Sequence, residues 1–254
     1  MLAHIWQDSL TVFWGEWLDL RVRLPQVFAS GLVSPLIYIL AFGFGVGSSL
    51  TSPPMGSSYL EFILPGMVAL SSMIISFAGT TFSICGDRLF NKTFEELLLA
   101  PVHPLGVYLG KVMAGVVRGL LTASAIILIS ILFTGRWQGF LHPLFLGMVL
   151  LNSLVFAGLG VIVGLSVSSL ETVGLYNNFL IVPMSFLGGT FFDPATVPPF
   201  LKVIVYCIPL TYASIGLRAS ALGAPFPWYA PLVLLGIGSI LAGIGAYQFS
   251  HQQD

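Results

Sequence analysis

The chain has 254 residues, of which 9 are Lys or Arg and 10 are Asp or Glu, so 7% are charged while 56% are hydrophobic. Soluble domains carry about 25% charged residues, and so few charges cannot solvate the surface of a water-soluble fold of this length. A cytosolic enzyme, a nucleic-acid binder and a disordered chain are excluded together, and most of the chain has lipid as its solvent.

In residues 1–24, Trp6, Leu10, Phe13, Trp17, Leu20 and Leu24 recur at alternating spacings of four and three. His4, Asp8, Thr11, Gly15 and Asp19 fall opposite, which predicts an amphipathic helix. Trp6, Trp14 and Trp17 suit the headgroup layer, so this helix is expected to lie on the inner leaflet, as an anchor or as a docking surface. No short apolar run ends in a small-residue cleavage site, so it is not read as a secretory signal.

Six spans are predicted from the charge-free gaps, near residues 27–48, 62–85, 106–133, 143–166, 172–192 and 228–247. Each gap holds about 20 mostly apolar residues, enough for one helix to cross the hydrocarbon. The runs are continuous rather than alternating, which argues against a barrel. The predicted fold class is an all-α polytopic membrane protein, a single transmembrane domain over residues 1–254. With the N-terminus inside, Arg21, Arg23, Arg88, Lys92 and Lys111 are cytoplasmic, against Arg136, Lys202 and Arg218 on the opposite side. This bias predicts that both termini are cytoplasmic.

Two connections are more than connections. In residues 87–104, Thr93 as N-cap and Glu96 three residues on fit a capping box. Phe90, Phe94, Leu97 and Leu98 would share one face, Lys92, Glu95 and Glu96 the other, and Pro101 and Pro104 stop the helix. The motif alone fits an ordinary capped turn or a docking helix. In residues 193–227, Pro198-Pro199 opens a short helix and Pro209 ends it, with a second expected over Thr211–Leu222. Such a pair is expected to dip into the outer leaflet as a re-entrant element.

Chemistry-bearing groups are sparse. His4, His103, His142 and His251 show no metal spacing, and Cys85 and Cys207 are placed on opposite sides. Gly106 through Lys111 lacks the spacing and the Ser/Thr of a phosphate loop. No catalytic set is expected, nor any metal or cofactor bound by the chain itself. Arg118, inside the third span, either snorkels to the headgroups or serves a function. Ser72, Ser76, Thr80 and Ser83 form a stripe on the second span, open to reading as helix glue or as a pathway lining. Asn177 and Asn178 are costlier to bury, which favours the pathway.

Three stretches carry a family resemblance: Tyr59-Leu-Glu-Phe-Ile-Leu-Pro65-Gly66, Arg88 through Thr93-Phe-Glu95-Glu-Leu-Leu-Leu-Ala-Pro101-Val, and Gly188-Gly-Thr-Phe-Phe-Asp-Pro194 continuing through Pro198 to Pro209-Leu-Thr-Tyr212. In this order they resemble type-2 ABC export permeases, of the drug, lipooligosaccharide and nodulation-protein-J-like branch. Members often read Phe-Phe-Pro where this chain has Asp193 before Pro194. The resemblance implies an inner-membrane permease that exports a drug, glycolipid or polysaccharide by alternating access. It implies pairing with a second permease copy and docking of two ABC ATP-binding subunits, which would hold the ATP and Mg. It further implies a coupling helix comprising Thr93, Phe94, Glu95, Glu96, Leu97 and Leu98. Spans two and five would line the path, which nominates Ser72, Ser76, Thr80, Asn177 and Asn178. The competing expectation is a secondary transporter or channel with no ATPase partner.

Overall fold

The computed structural model describes residues 2–41, 58–91, 94, 96, 99–100 and 102–251; within these the chain is helical, with no strand. Helix α1 runs unbroken over Leu2–Tyr38 and contains Pro25 and Pro35. The amphipathic segment and the first expected span are therefore one continuous helix, without a break near residue 24. Residues 42–48, the end of that expected span, lie outside the described residues.

Helix α2 (Tyr59–Gly86) starts at Ser58, whose side chain accepts from the Glu61 amide, and ends in a wide turn over Asp87–Asn91. Helix α3 (Pro104–Thr134) and helix α5 (Pro143–Ser166) begin alike. In each, a histidine side chain, His103 or His142, accepts from the second backbone amide beyond it, and proline fills the first helical position. Proline lacks the N–H that would go unpaired there. Gly135, at φ 68°, ends α3 in the left-handed region, where a residue with a Cβ is strained. The four-residue α4 (Trp137–Phe140) bridges α3 and α5.

The core sits around α2. Phe62, Ile63, Leu64, Met67, Met73 and Phe77 are fully buried, and α2 packs on α3, on α5 and on the later helix Pro209–Leu222. Helix α10 (Tyr229–Ser250) covers α5 and α3 from the other side.

The fifth expected span, residues 172–192, differs in the structure. It is one helical run, α6 (Leu170–Tyr176), a π-helical stretch over Asn177–Ile181 and α7 (Val182–Leu187), followed by irregular chain from Gly188. The adjacent asparagines lower its hydropathy, and Pro183 removes a backbone donor. Among the described residues, five helices are fit by length and composition to cross a membrane: His4–Ala41, Tyr59–Phe90, Pro104–Thr134, Pro143–Ser166 and Tyr229–Ser250. The sixth possibility is the pair α8 (Pro199–Cys207) and α9 (Pro209–Leu222), which meet at 92°, the geometry of a broken span or a re-entrant loop.

Candidate functional site

Helices α1 and α3 run side by side in the same direction, Ile5 and Asp8 against Gly106, Val12 against Gly110, and Gly31 against Thr122. The approach depends on the glycines: a Cβ on Gly110 would lie 2.8 Å from the Ser9 carbonyl oxygen. This packing carries Glu16 to the flank of α3, beside Lys111 and Arg118.

Glu16 is only 9% exposed, and its carboxylate pairs with Lys111 Nζ and, at 2.7 Å, with an Arg118 guanidinium nitrogen. Ser83 Oγ donates to the same carboxylate at 2.5 Å. Lys111 also pairs with Asp87, in the turn after α2. Arg118 donates to the Gly79 carbonyl at 2.7 Å. Two carboxylates and two cations thus balance one another across α1, α2 and α3. Charges removed from water persist only when paired and hydrogen-bonded in this way. The cluster offers no nucleophile or metal-binding set; what it does is hold α1 to the other two helices.

A second set of contacts anchors the chain after α2. Arg88 donates to the carbonyls of Gly164, Leu165 and Val167 at 3.0, 2.6 and 3.1 Å, at the C-terminal end of α5. These acceptors lie at the last turn of the helix, where the helix dipole favours a cation. The Arg88 guanidinium also lies 5.7 Å from the Phe94 ring centre. Phe94 is buried and packs on Phe249 of α10, ring centres 6.0 Å apart. Asp8 of α1 accepts from the His103 amide at 3.1 Å. Glu96 is exposed. Thr93, Glu95, Leu97 and Leu98 lie outside the described residues.

The hydroxyl stripe is buried in the seam of α2, α3 and α5. Ser72, Ser76 and Thr80 are each at most 1% exposed. Asn152 of α5 donates to Ser72 Oγ at 2.8 Å and to the Ala69 carbonyl at 2.9 Å. Thr80 donates to the Ser76 carbonyl at 2.8 Å. A Cβ on Gly119 would lie 2.8 Å from Ser153 Oγ, so the three helices meet where residues are small. Asn177 and Asn178 are elsewhere, in the π-helical stretch between α6 and α7. Asn178 is exposed, while Asn177 lines a cavity of about 140 Å³ with Tyr38, Leu70, Ile74, Phe186 and Phe191. The stripe and the asparagines do not form one site.

At the opposite end of α2, Arg218 of α9 is 4% exposed. It donates to the Phe62 carbonyl at 3.2 Å and the Gly189 carbonyl at 2.8 Å, and its guanidinium lies 3.7 Å from the Phe62 ring centre. From the sequence alone Arg218 reads only as a loop charge, and Glu16, Asp87 and Lys111 are not among the expected site residues. Lys111 and Arg118, seven residues apart on one face of α3, were the available signal.

The model of the ABC-2 type transporter family matches residues 8–222. The chain belongs to this family. Its relatives include the inner membrane transport permease YadH of Escherichia coli K12, 29% identical over 87% of this chain and 86% of the relative. Nodulation protein J of Neorhizobium galegae is 28% identical over 80% of this chain and 77% of its own, and that of Rhizobium meliloti is 29% identical over 81% and 77%. The ABC-2 match spans α1 to α9 and so includes the charged cluster, the Arg88 anchor and the stripe. The YadH relative is an inner membrane transport permease, and the apolar helices of this chain fit a multi-pass protein of that kind; this family in general works with an ABC ATP-binding partner.

Proposed function

We propose that the chain is the permease subunit of an ATP-driven exporter, moving an amphipathic or hydrophobic substrate out of the cytoplasm by alternating access. A second permease copy and two ABC ATP-binding subunits complete the transporter, and the ATP and Mg belong to those subunits. Residues 93–98 are the coupling segment, both termini are cytoplasmic, and α8–α9 forms an outer re-entrant pair.

The observation that carries this reading is how the chain after α2 is tied to the helices. Its described residues reach α5 through Arg88, α10 through Phe94 and α1 through the Asp87–Lys111–Glu16 pairs. A push on this segment is thereby shared among four helices, as gating by an attached motor requires. Exposed Glu96 offers a charge to a partner. The substrate path is proposed along the half-buried side of α2 at Asn177 and its 140 Å³ cavity; Ser72, Ser76 and Thr80 support the seam behind it.

The test is reconstitution with the ABC ATP-binding subunit. Phe94→Ala is expected to leave the complex assembled while lowering ATP-driven transport about tenfold, the loss of one well-packed aromatic contact in the drive train. Transport at the wild-type rate by the assembled variant overturns the assignment of the segment.

A further inference from the structure

Beside the charged cluster, a cavity of about 420 Å³ opens between α1 and α2, lined on α1 by Glu16, Asp19, Arg23 and Val27. From the geometry we propose that this cavity holds a zwitterionic phospholipid of the ethanolamine type, with its ammonium at Asp19, its phosphate at Arg23, and an acyl chain along Val27 and Ile75.

Charge balance and order along the helix carry the assignment. Glu16, Asp87, Lys111 and Arg118 neutralise one another. That leaves one anion and one cation on the cavity wall, Asp19 and Arg23, both exposed and neither in an ion pair among the described residues. An anionic headgroup would satisfy Arg23 and repel Asp19; a headgroup with one charge of each sign satisfies both. Asp19, Arg23 and Val27 are successive four-residue steps on one face of α1, each about 6 Å along the axis. The α2 side of the cavity runs the same way, from Asp87 to Phe82 to Ile75. Ammonium, phosphate and hydrocarbon follow in that order in such a lipid, and the charged end of the cavity lies beside the chain that leaves α2. A primary ammonium donates hydrogen bonds to a carboxylate, and an arginine fork suits a phosphate.

The experiment is native mass spectrometry of the delipidated full chain in detergent, titrated with phosphatidylethanolamine or with phosphatidylglycerol of the same acyl chains. The wild type is expected to retain the ethanolamine lipid with at least about tenfold preference, the scale of one charge-assisted contact. Asp19→Lys is expected to invert the preference, and Arg23→Gln to weaken both lipids about tenfold. Neither residue is in an ion pair among the described residues, so the variants are expected to fold, checked by gel filtration and thermal melting. Equal binding of the two lipids by the wild type, or an unchanged preference in Asp19→Lys, overturns the proposal. So does displacement of the lipid by free phosphoethanolamine at matching concentration, because the apolar wall would then contribute nothing. No ATPase enters these measurements, so their outcome is independent of the transport reading.

Discussion

Glu16 is held by Lys111, Arg118 and Ser83, side chains from two other helices. Removing one member of a buried ion pair leaves an uncompensated charge, which typically destabilises by about 3–5 kcal/mol. Glu16→Gln strands Arg118 more than Lys111, because Lys111 keeps Asp87. The expected outcome is a lower thermal midpoint in detergent, with part of the loss recovered in Glu16→Gln/Arg118→Met, since the two residues couple directly. Additive losses in that cycle would mean that the pair is not an energetic unit. Arg218 gives a second prediction at this scale. Its fork spans two carbonyls and its plane lies on Phe62, and an ammonium reproduces neither. Arg218→Lys is expected to destabilise by about 1–3 kcal/mol, measured as a fall in the same midpoint; a midpoint unchanged from wild type contradicts it. Neither role was legible in the sequence, because the partners of Glu16 lie 95 and 102 residues away and a local pattern cannot name them. Arg118 stood out as an ion inside a span, but its choice between headgroups and a partner depended on the approach of α1.

Elements that begin and end on local chemistry were readable. α5 starts at the expected residue because Pro143 marks it, and α10 lies within a few residues of its expected bounds. The hydroxyl stripe was correctly spaced on α2, yet its environment was set by small residues on α3 and α5, notably Gly119. Gly119→Val is therefore expected to force the seam apart and cost about 1–3 kcal/mol through overpacking, seen as reduced yield and midpoint; tolerance at wild-type stability would show a looser seam than described. Local rules were least informative in α1 and in the 172–192 region. Pro25 lacks the N–H that an interior helical position uses, yet the helix continues through it, and α1 meets α3 on either side of it, at Glu16 and at Gly31. Residues 172–192 read as one span by their lack of charge, while the described helix winds on through a π-helical stretch at Asn177–Ile181 and stops at Leu187, short of the expected end.

Across the whole molecule, charge is concentrated where α1, the end of α2 and the start of α3 meet, and Arg88 and Asp8 tie the intervening chain to the same end. The orientation belongs to this scale. Cys207 is exposed and Cys85 buried, so in intact cells an impermeant thiol reagent is expected to label Cys207 from outside and to spare Cys85. Labelling of Cys207 only after the membrane is opened would reverse the proposed topology. The family was readable from motif order alone, because Pro65-Gly66, the Glu95-Glu96 segment and the Pro194–Pro209 stretch are local. The tie between them was not, since Arg88 reaches carbonyls of Gly164 and Leu165 far along the chain.

The central claim is that this permease is driven through the chain between α2 and α3 by an ABC ATP-binding subunit. It is tested most directly by the ATP-driven transport rate of the complex in proteoliposomes, wild type against Glu96→Arg. Reversing an exposed charge at a docking surface costs several kcal/mol of complementarity, so assembly and ATP-driven transport are both expected to fall at least about tenfold. A Glu96→Arg complex that assembles and transports like the wild type would contradict the claim.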